Sequence, residues 1–201
     1  LHSFPTLRSS DLGCQGAFGL RNQLANDILG VPPEKVRVLT GNVGGSFGMK
    51  AACDPEYVCL LHAAKLLGKP VKWTDERSES FLSDQHGRDH EMKAELALDK
   101  DGHFLAVRTT GYGNMGAYLG VVAPLMSTLN VVKNIVSVYR TPLVEVSTKC
   151  VFTNTTPVSA YRGAGRPESN YMMERMIDTA AREMGIDRIE LRRRNHIAPS
   201  Q

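Results

Sequence analysis

The period of apolar positions changes several times along this chain, and each change marks an element. Between Gly16 and Leu29 the residues Leu20, Leu24, Ile28 and Leu29 fall on one face of a helix; Gly30 supplies its stop and Pro32-Pro33 forbids continuation. Lys35 to Thr40 (KVRVLT) alternates apolar and polar side chains, the pattern of a strand. Asp54-Pro55-Glu56 opens a second helix, with Asp54 as N-cap, Pro55 in the first turn and Glu56 on the positive end of the dipole; it runs to Leu67 and stops at Gly68, with Pro70 beyond. Val71 to Thr74 reads as a short strand. Glu91 to Leu98 and His103 to Thr110 read as two strands of a hairpin turning on Asp99-Lys100-Asp101-Gly102. Tyr112 to Leu129, rich in glycine and small residues, fits neither period, and Val144 to Thr153 reads as a further strand. Pro167 then begins the longest helix, which ends near Gly185 and carries an apolar stripe of Met173, Met176, Ile177, Ala180, Ala181 and Met184, read as core filling. Asp187 caps a last helix, Ile189 to Arg194. Helices interleaved with antiparallel strands predict an α+β fold.

Composition narrows the function classes. A chain of 201 residues, 42% hydrophobic, can bury a core and form one or two domains. A net charge of +3 with the charges mixed gives no nucleic-acid footprint. The densest basic run, Arg192-Arg193-Arg194, reads as a solvated helix end where cations suit the dipole. No apolar run reaches the roughly 18 residues of a membrane span; Val131 to Val138 is interrupted by Lys133 and Asn134. No secretory signal is read at the N-terminus. Cys14, Cys53, Cys59 and Cys150 form no CxxC pair, so neither a zinc site nor an iron–sulfur cluster is supported, and scattered thiols fit a reducing compartment such as the cytoplasm.

Two loops carry the candidate chemistry. The first is Gly44-Gly45-Ser46-Phe47-Gly48-Met49-Lys50, the second Ala160-Tyr161-Arg162-Gly163-Ala164-Gly165-Arg166-Pro167-Glu168. Each sets glycines beside a large side chain and ends on a charged residue, a combination that lets backbone amides approach an anionic, oxygen-rich ligand. The first lacks the GxGxxG spacing of a dinucleotide fingerprint, and Lys50 has neither the preceding GxxxxG nor the following hydroxyl of a phosphate loop. His86-Gly87-Arg88-Asp89-His90 places two histidines four apart; Gly87 and the strand that follows argue against a helical metal pair, and Asp84, Arg88 and Asp89 are read as tying down a loop. Trp73 is assigned to core or interface.

In this order the two loops resemble those of the molybdopterin-binding subunit of the xanthine oxidase family, the molybdenum hydroxylases. The likeness extends from about Gly13 to Pro199 and takes in Asp54-Pro55-Glu56-Tyr57-Val58, Lys69-Pro70-Val71-Lys72-Trp73, Gly87-Arg88-Asp89-His90, Val151-Phe152-Thr153-Asn154 and Glu190-Leu191-Arg192-Arg193-Arg194-Asn195. It is strongest to the bacterial branch that includes aerobic carbon monoxide dehydrogenase large subunits. The resemblance implies the mixed strands and helices of the molybdenum cofactor-binding region of aldehyde oxidase/xanthine dehydrogenase-like proteins. It implies a molybdenum–molybdopterin cofactor, in the cytosine dinucleotide form of bacterial relatives, with the metal held by the pterin and by no protein ligand. It implies partners too: a 2Fe-2S small subunit, an FAD-binding medium subunit and a small-molecule substrate, an aldehyde or an N-heterocycle, oxidised with water as oxygen source.

Residue by residue, Gln15 matches the glutamine whose side chain hydrogen-bonds an oxo ligand of molybdenum, a task suited to an uncharged donor. Phe47 and Gly48 match the loop whose backbone faces the cofactor, with Gly45 giving freedom to turn. Arg162 matches the arginine whose backbone lies against the metal centre, and Gly163, Ala164 and Gly165 keep that approach free of bulk. Three departures narrow the activity. Gly163 stands where carbon monoxide dehydrogenases carry a copper-binding cysteine; Ala51 stands where xanthine oxidases carry a purine-contacting glutamate; and Asn130 lies near the place of their substrate-orienting arginine. Met49 replaces a usual glycine. The family's catalytic base, a glutamate in a Gly-x-Gly-Glu loop, has no counterpart here and is expected downstream, so no catalytic residue is assigned and the 201 residues alone are expected to show no turnover. Leu1 to Leu12 resembles the translation of an adapter oligonucleotide and is read as non-native, leaving 13–201 as part of a molybdopterin-binding domain. The alternative is a non-catalytic binding or assembly module of the same fold.

Overall fold

The computed structural model describes residues 12–198 together with the backbone of Leu7–Ser9; most of the adapter-like stretch lies outside the described residues. The chain forms two compact units, Leu1–Asp84 and Gln85–Gln201.

In the first unit, β1 (Leu7–Ser9) pairs in parallel with β2 (Val36–Val38). Helix α1 (Ala17–Asn22) continues as a π-helical stretch, Gln23–Leu29, capped by Gly30 at φ 61°. The span matches the sequence expectation, but its second half is wound wider, with hydrogen bonds that reach five residues instead of four. Leu20 and Leu24 are buried, whereas the wider winding carries Ile28 off their stripe. Cys14, Leu20, Leu24, Ala25 and Val36 form the core, and Tyr57 and Leu61 from α2 (Pro55–Leu67) pack against it. No residue of α2 is fully buried. Asp54 is its N-cap by position but its carboxylate makes no capping bond. The strand expected at Lys35 to Thr40 shrinks to β2, its first residue belonging to a 3₁₀ turn, Pro33–Lys35. Val71 to Thr74 is not a strand: it pairs with no segment among the described residues, and Trp73 is 40% exposed, outside the buried clusters of those residues. Helix α3 (Arg77–Ser83) is not legible in the sequence, because Phe81 and Leu82 make no periodic stripe; a capping box of Glu76 and Glu79 starts it.

The second unit is a three-stranded sheet covered by helices. β3 (His90–Leu98) and β4 (Phe104–Asn114) form the expected antiparallel hairpin, closed by Asp99 Oδ1, which accepts from the amides of Asp101 and His103, both at 2.9 Å. β5 (Leu143–Val151) pairs with β4 in parallel, not antiparallel as the element order suggests. The cause is the connection: α4 (Ala123–Ser127) and α5 (Leu129–Asn134) occupy the end of the ambiguous glycine-rich stretch and the residues after it, and carry the chain back across the sheet before β5 begins. Helix α6 (Arg166–Met184) buries Met173, Ile177, Ala180 and Ala181 against Phe104, Val107, Val131 and Ile135 and packs the half-buried Met176 beside them, so the stripe is core except at its last residue, Met184. Helix α7 (Arg188–Asn195) is capped by Asp187, whose Oδ1 accepts from Ile189 N (2.9 Å) and Glu190 N (3.0 Å). Its basic run is only partly a solvated end. Arg192 joins α7 to α6 through Glu174 (2.6 Å) and Asp178 (2.9 Å), and Arg194 reaches the Asp101 carbonyl at 2.7 Å. Asn195, the last residue of the Glu190–Asn195 motif, is buried and its amide is bonded at both ends: Oδ1 accepts from Phe104 N at 2.7 Å and Nδ2 donates to the carbonyls of Gly102 and Leu191.

Candidate cofactor-facing loops

The first loop is organised by a side chain from outside it. Gln15 stands just before α1, and its Oε1 accepts from Ser46 Oγ at 2.6 Å and from Gly48 N at 2.9 Å. Its backbone amide donates to the Lys50 carbonyl at 2.9 Å. An N–H can only donate, so the Gly48 contact fixes which end of the Gln15 side-chain amide is oxygen and leaves the NH₂ end as a pair of donors on an exposed residue. Ser46 Oγ also accepts from Lys50 N at 3.2 Å, which closes the turn into a 3₁₀ helix, Met49–Ala51. Thus Gln15, Phe47 and Gly48 are brought together. Phe47 adopts φ 55°, a costly conformation for a large residue. Its ring is 53% exposed and lies where a Cβ on Gly45 would sit, 2.6 Å from Cε2, while Gly45 itself turns at φ 137°. Gly48 follows at φ 107°.

Behind this loop lies a titratable group of the same unit. Asp54 is half-buried; burial, then the charges of Glu56 and Asp84, raise its pKa to about 6 against the pull of Lys50. Burial and Asp54 push Cys53 up to about 11, and burial pushes Tyr57 up to about 12. The Tyr57 hydroxyl donates to the Gly13 carbonyl at 3.5 Å, tying α2 to the segment that carries Gln15.

The second loop is organised by shape. Gly163 (φ 97°), Ala164 (φ 45°) and Gly165 (φ 93°) run three successive residues through the left-handed region. A Cβ on Gly163 would lie 2.5 Å from Pro167 Cγ; one on Gly165 would lie 2.4 Å from the Met126 carbonyl and 2.9 Å from Asn130 Cβ. The protein's own atoms leave no room for a side chain at either glycine, a constraint that stands beside any need to keep a ligand's approach clear. Asn130 Nδ2 donates to the Ala164 carbonyl at 2.7 Å, so this residue holds the loop, a role its sequence position near a substrate-orienting arginine does not suggest.

Arg88 is the other residue that sequence reasoning leaves without a site role. Its Nη2 donates to the Arg162 carbonyl, its guanidinium lies 5.0 Å from the centre of the Tyr161 ring, and its Nε stands 3.5 Å from Glu168. His86 and His90 lie in extended backbone, the first bridging Val158. Asp89 accepts from Asn114 Nδ2 at 2.6 Å, so Arg88 and Asp89 do fasten this segment, whereas Asp84 ends α3. The sequence signals for Arg88 are its place in that fastening segment and in the Gly87-Arg88-Asp89-His90 motif that carries the resemblance.

Comparison with known proteins agrees with this architecture. Residues 11–196 match the family model described as a molybdopterin cofactor-binding domain. The chain is 42% identical over 168 residues to the gamma subunit of the 6-hydroxypseudooxynicotine dehydrogenase complex of Paenarthrobacter nicotinovorans (84% of this chain, 21% of that protein). It is 35% identical over 176 residues to the carbon monoxide dehydrogenase large chain of Hydrogenophaga pseudoflava (87% and 22%). It superposes on the structure of quinoline 2-oxidoreductase from Pseudomonas putida 86 with a TM-score of 0.89 at 33% identity, covering 94% of this chain and 24% of that one. The chain spans about a fifth of the length of the curated relatives it matches. On the family match and these relatives together, the chain belongs to the molybdopterin cofactor-binding domains of molybdenum hydroxylase large subunits.

Proposed function

We propose that this chain provides cofactor-facing loops of a molybdenum hydroxylase catalytic subunit that oxidises an N-heterocycle or an aldehyde with water as oxygen source. The observation that carries the proposal is the state of the Gln15 amide. Its oxygen is taken up by Ser46 and Gly48, so only its N–H donors remain for a ligand, and an oxo-rich metal centre is a ligand of acceptors. The first loop, with Gln15, Gly45, Phe47 and Gly48, therefore fits a molybdenum–molybdopterin group, and Arg162 and Gly163 of the second loop are proposed as cofactor-binding on the family resemblance. When bound, the group supplies the two-electron chemistry of carbon hydroxylation. Gln15 contributes an uncharged donor held in one orientation. The first loop contributes backbone that its glycines and the strained Phe47 keep turned, and the second contributes the Arg162 backbone, fixed from behind by Arg88. No proton-transferring residue is assigned to these 201 residues.

The relatives' names favour a nitrogen heterocycle, and the second loop argues against a copper thiolate. At residue 163 the backbone stands at φ 97° with Pro167 filling the Cβ position, so a cysteine there would need the loop to rebuild. Electron transfer to a 2Fe-2S small subunit and an FAD-binding medium subunit, the cytosine dinucleotide form of the pterin and a cytoplasmic location complete the proposal.

The test is Gln15→Glu. The carboxylate can still accept from Ser46 and Gly48 but has no N–H to offer. Stability should change by no more than about 0.5 kcal/mol, as at an ordinary surface site, while molybdenum and pterin per mole of purified protein should fall several-fold. A variant that keeps its full pterin removes Gln15 from the site. A wild-type catalytic subunit containing this chain, purified from molybdenum-replete cells, that carries no pterin sinks the whole reading in favour of a binding or assembly module.

A further inference from the structure

We propose that Arg88 is the positioning residue of the second loop, holding the Arg162 carbonyl in place from outside the loop; this rests on the cofactor reading above. Three of its contacts converge on consecutive parts of the loop through different faces and edges of one planar group. Nη2 donates to the Arg162 carbonyl, the guanidinium faces the Tyr161 ring at 5.0 Å, and Nε lies 3.5 Å from Glu168 in the first turn of α6. A lysine ammonium, a point charge on a flexible stem, cannot meet all three at once.

The surrounding backbone is built to deliver that side chain. Arg88 itself sits at φ 68°, which costs a non-glycine residue energy and persists only where neighbours enforce it. They do. His86 N donates to the Pro157 carbonyl at 3.1 Å and its carbonyl accepts from Ser159 N at 2.9 Å, which fastens the segment alongside residues 157–159 just before the loop. A Cβ on Gly87 would lie 2.4 Å from Tyr161 Cβ, so the two backbones pass too closely for any other residue. Asp89 is fixed through the backbone and side chain of Asn114.

The electrostatics select Arg88 as the cation of this cluster. The Glu168 side chain is 13% exposed and its Oε2 has no protein hydrogen-bond donor among the described residues. His90 also lies close enough to feel Glu168, but burial holds its pKa below the ordinary histidine value, so it stays neutral near pH 7. Arg88 therefore compensates Glu168, and Glu168 in turn holds the guanidinium under the Arg162 carbonyl. Asn130 supplies the second hold, on the Ala164 carbonyl.

The experiment uses the full chain with Arg88→Lys and Arg88→Ala. Arg88→Lys keeps a charge for Glu168 and so guards against simple misfolding. Hydrogen exchange of the Ala164, Arg166 and Ser169 amides, which bond the Tyr161, Gly163 and Gly165 carbonyls, reports the loop directly and needs no cofactor. Exchange there should quicken by about tenfold or more in Arg88→Lys, the size expected for a lost charge-assisted bond, with the interior of α6 unchanged. In Arg88→Ala, millimolar guanidinium should slow it again, whereas methylammonium should not. Pterin per protein should fall and recover in parallel. Loop exchange equal to wild type in Arg88→Lys overturns the proposal, as does rescue by methylammonium as good as that by guanidinium. If wild-type protein holds no pterin, the cofactor reading fails alone, and the exchange measurement still decides whether Arg88 holds the loop.

Discussion

The two glycine loops look alike in sequence and differ in how much of their shape is set by packing. The first is held by polar contacts at the surface: one glutamine oxygen takes a hydroxyl and an amide, and a serine closes the turn. A Cβ on Gly44 would meet nothing within 4 Å, and the three atoms nearest one on Gly45 all belong to the Phe47 ring. The second loop is held by fit as well as by the polar contacts of Arg88 and Asn130. Its glycines abut a proline ring and a backbone carbonyl, and it leads into a helix that buries Met173, Ile177, Ala180 and Ala181, whereas α2, after the first loop, buries no residue completely. A loop fixed by hydrogen bonds can lose one contact to water and keep its form. A loop fixed by packing has no substitute for the residue that fits.

The sharpest way to break that contrast is Gly165→Ala. The methyl would lie 2.4 Å from the Met126 carbonyl on a backbone at φ 93°. Left-handed strain and overpacking each cost about 1–3 kcal/mol, so a loss of roughly 3 kcal/mol or more is expected in denaturant unfolding. Gly45→Ala should cost less, because the ring it meets can rotate away. Equal losses at the two glycines would show that the first loop is packed as tightly as the second.

How much of this is legible in the residues divides along the same line. Elements with a strong period or a clear stop stand where expected: the Asp99 hairpin, α2 between Pro55 and Gly68, the stripe of α6, the Asp187 cap. Elements made by tertiary context do not. The parallel pairing of β5 depends on α4 and α5, in and after a glycine-rich, aperiodic stretch, and α3 starts from a carboxylate pair with no stripe behind it. In the site, glycine motifs announce that a loop must turn, so both loops can be found. They do not announce what holds it. Arg88 lies 74 residues from the carbonyl it binds and Asn130 lies 34 from its own, and no local pattern encodes such distances.

A middle-sized effect should appear at Asp54, beneath the first loop. Its folded pKa is raised from the ordinary 3.8 to about 6, chiefly by burial and then by Glu56 and Asp84. The folded state therefore binds the proton more tightly than the unfolded chain. Between about pH 4 and pH 6 stability must fall as pH rises, and the cost of the buried charge is fully present above pH 6. Discounted for its partial exposure, this is about 1–2 kcal/mol. Asp54→Asn, which titrates nothing, should remove that part of the slope and gain stability near neutral pH, read from urea unfolding at both ends of the window. A slope unchanged in the variant would place the titration elsewhere, with Asp84, whose pKa is also raised by burial, as the first alternative.

The smallest effect is the most telling for the contrast. Gln15→Ala removes the acceptor for Ser46 and Gly48, yet Gln15 is exposed and water can take its place on both donors. A typical net hydrogen bond is worth about 1 kcal/mol, and less where solvent replaces it, so the expected loss is about 0.5–1 kcal/mol. The Gly48 amide should exchange faster while the buried amides around Leu24 keep their protection. Set beside Gln15→Glu, this separates two tasks of one residue: the alanine variant loses both the hold on the loop and the donor to a ligand, the glutamate variant only the donor. A loss above about 2 kcal/mol in Gln15→Ala would mean that the first loop, too, is a packed element, and the distinction between a loop held by exchangeable bonds and one held by shape would fall.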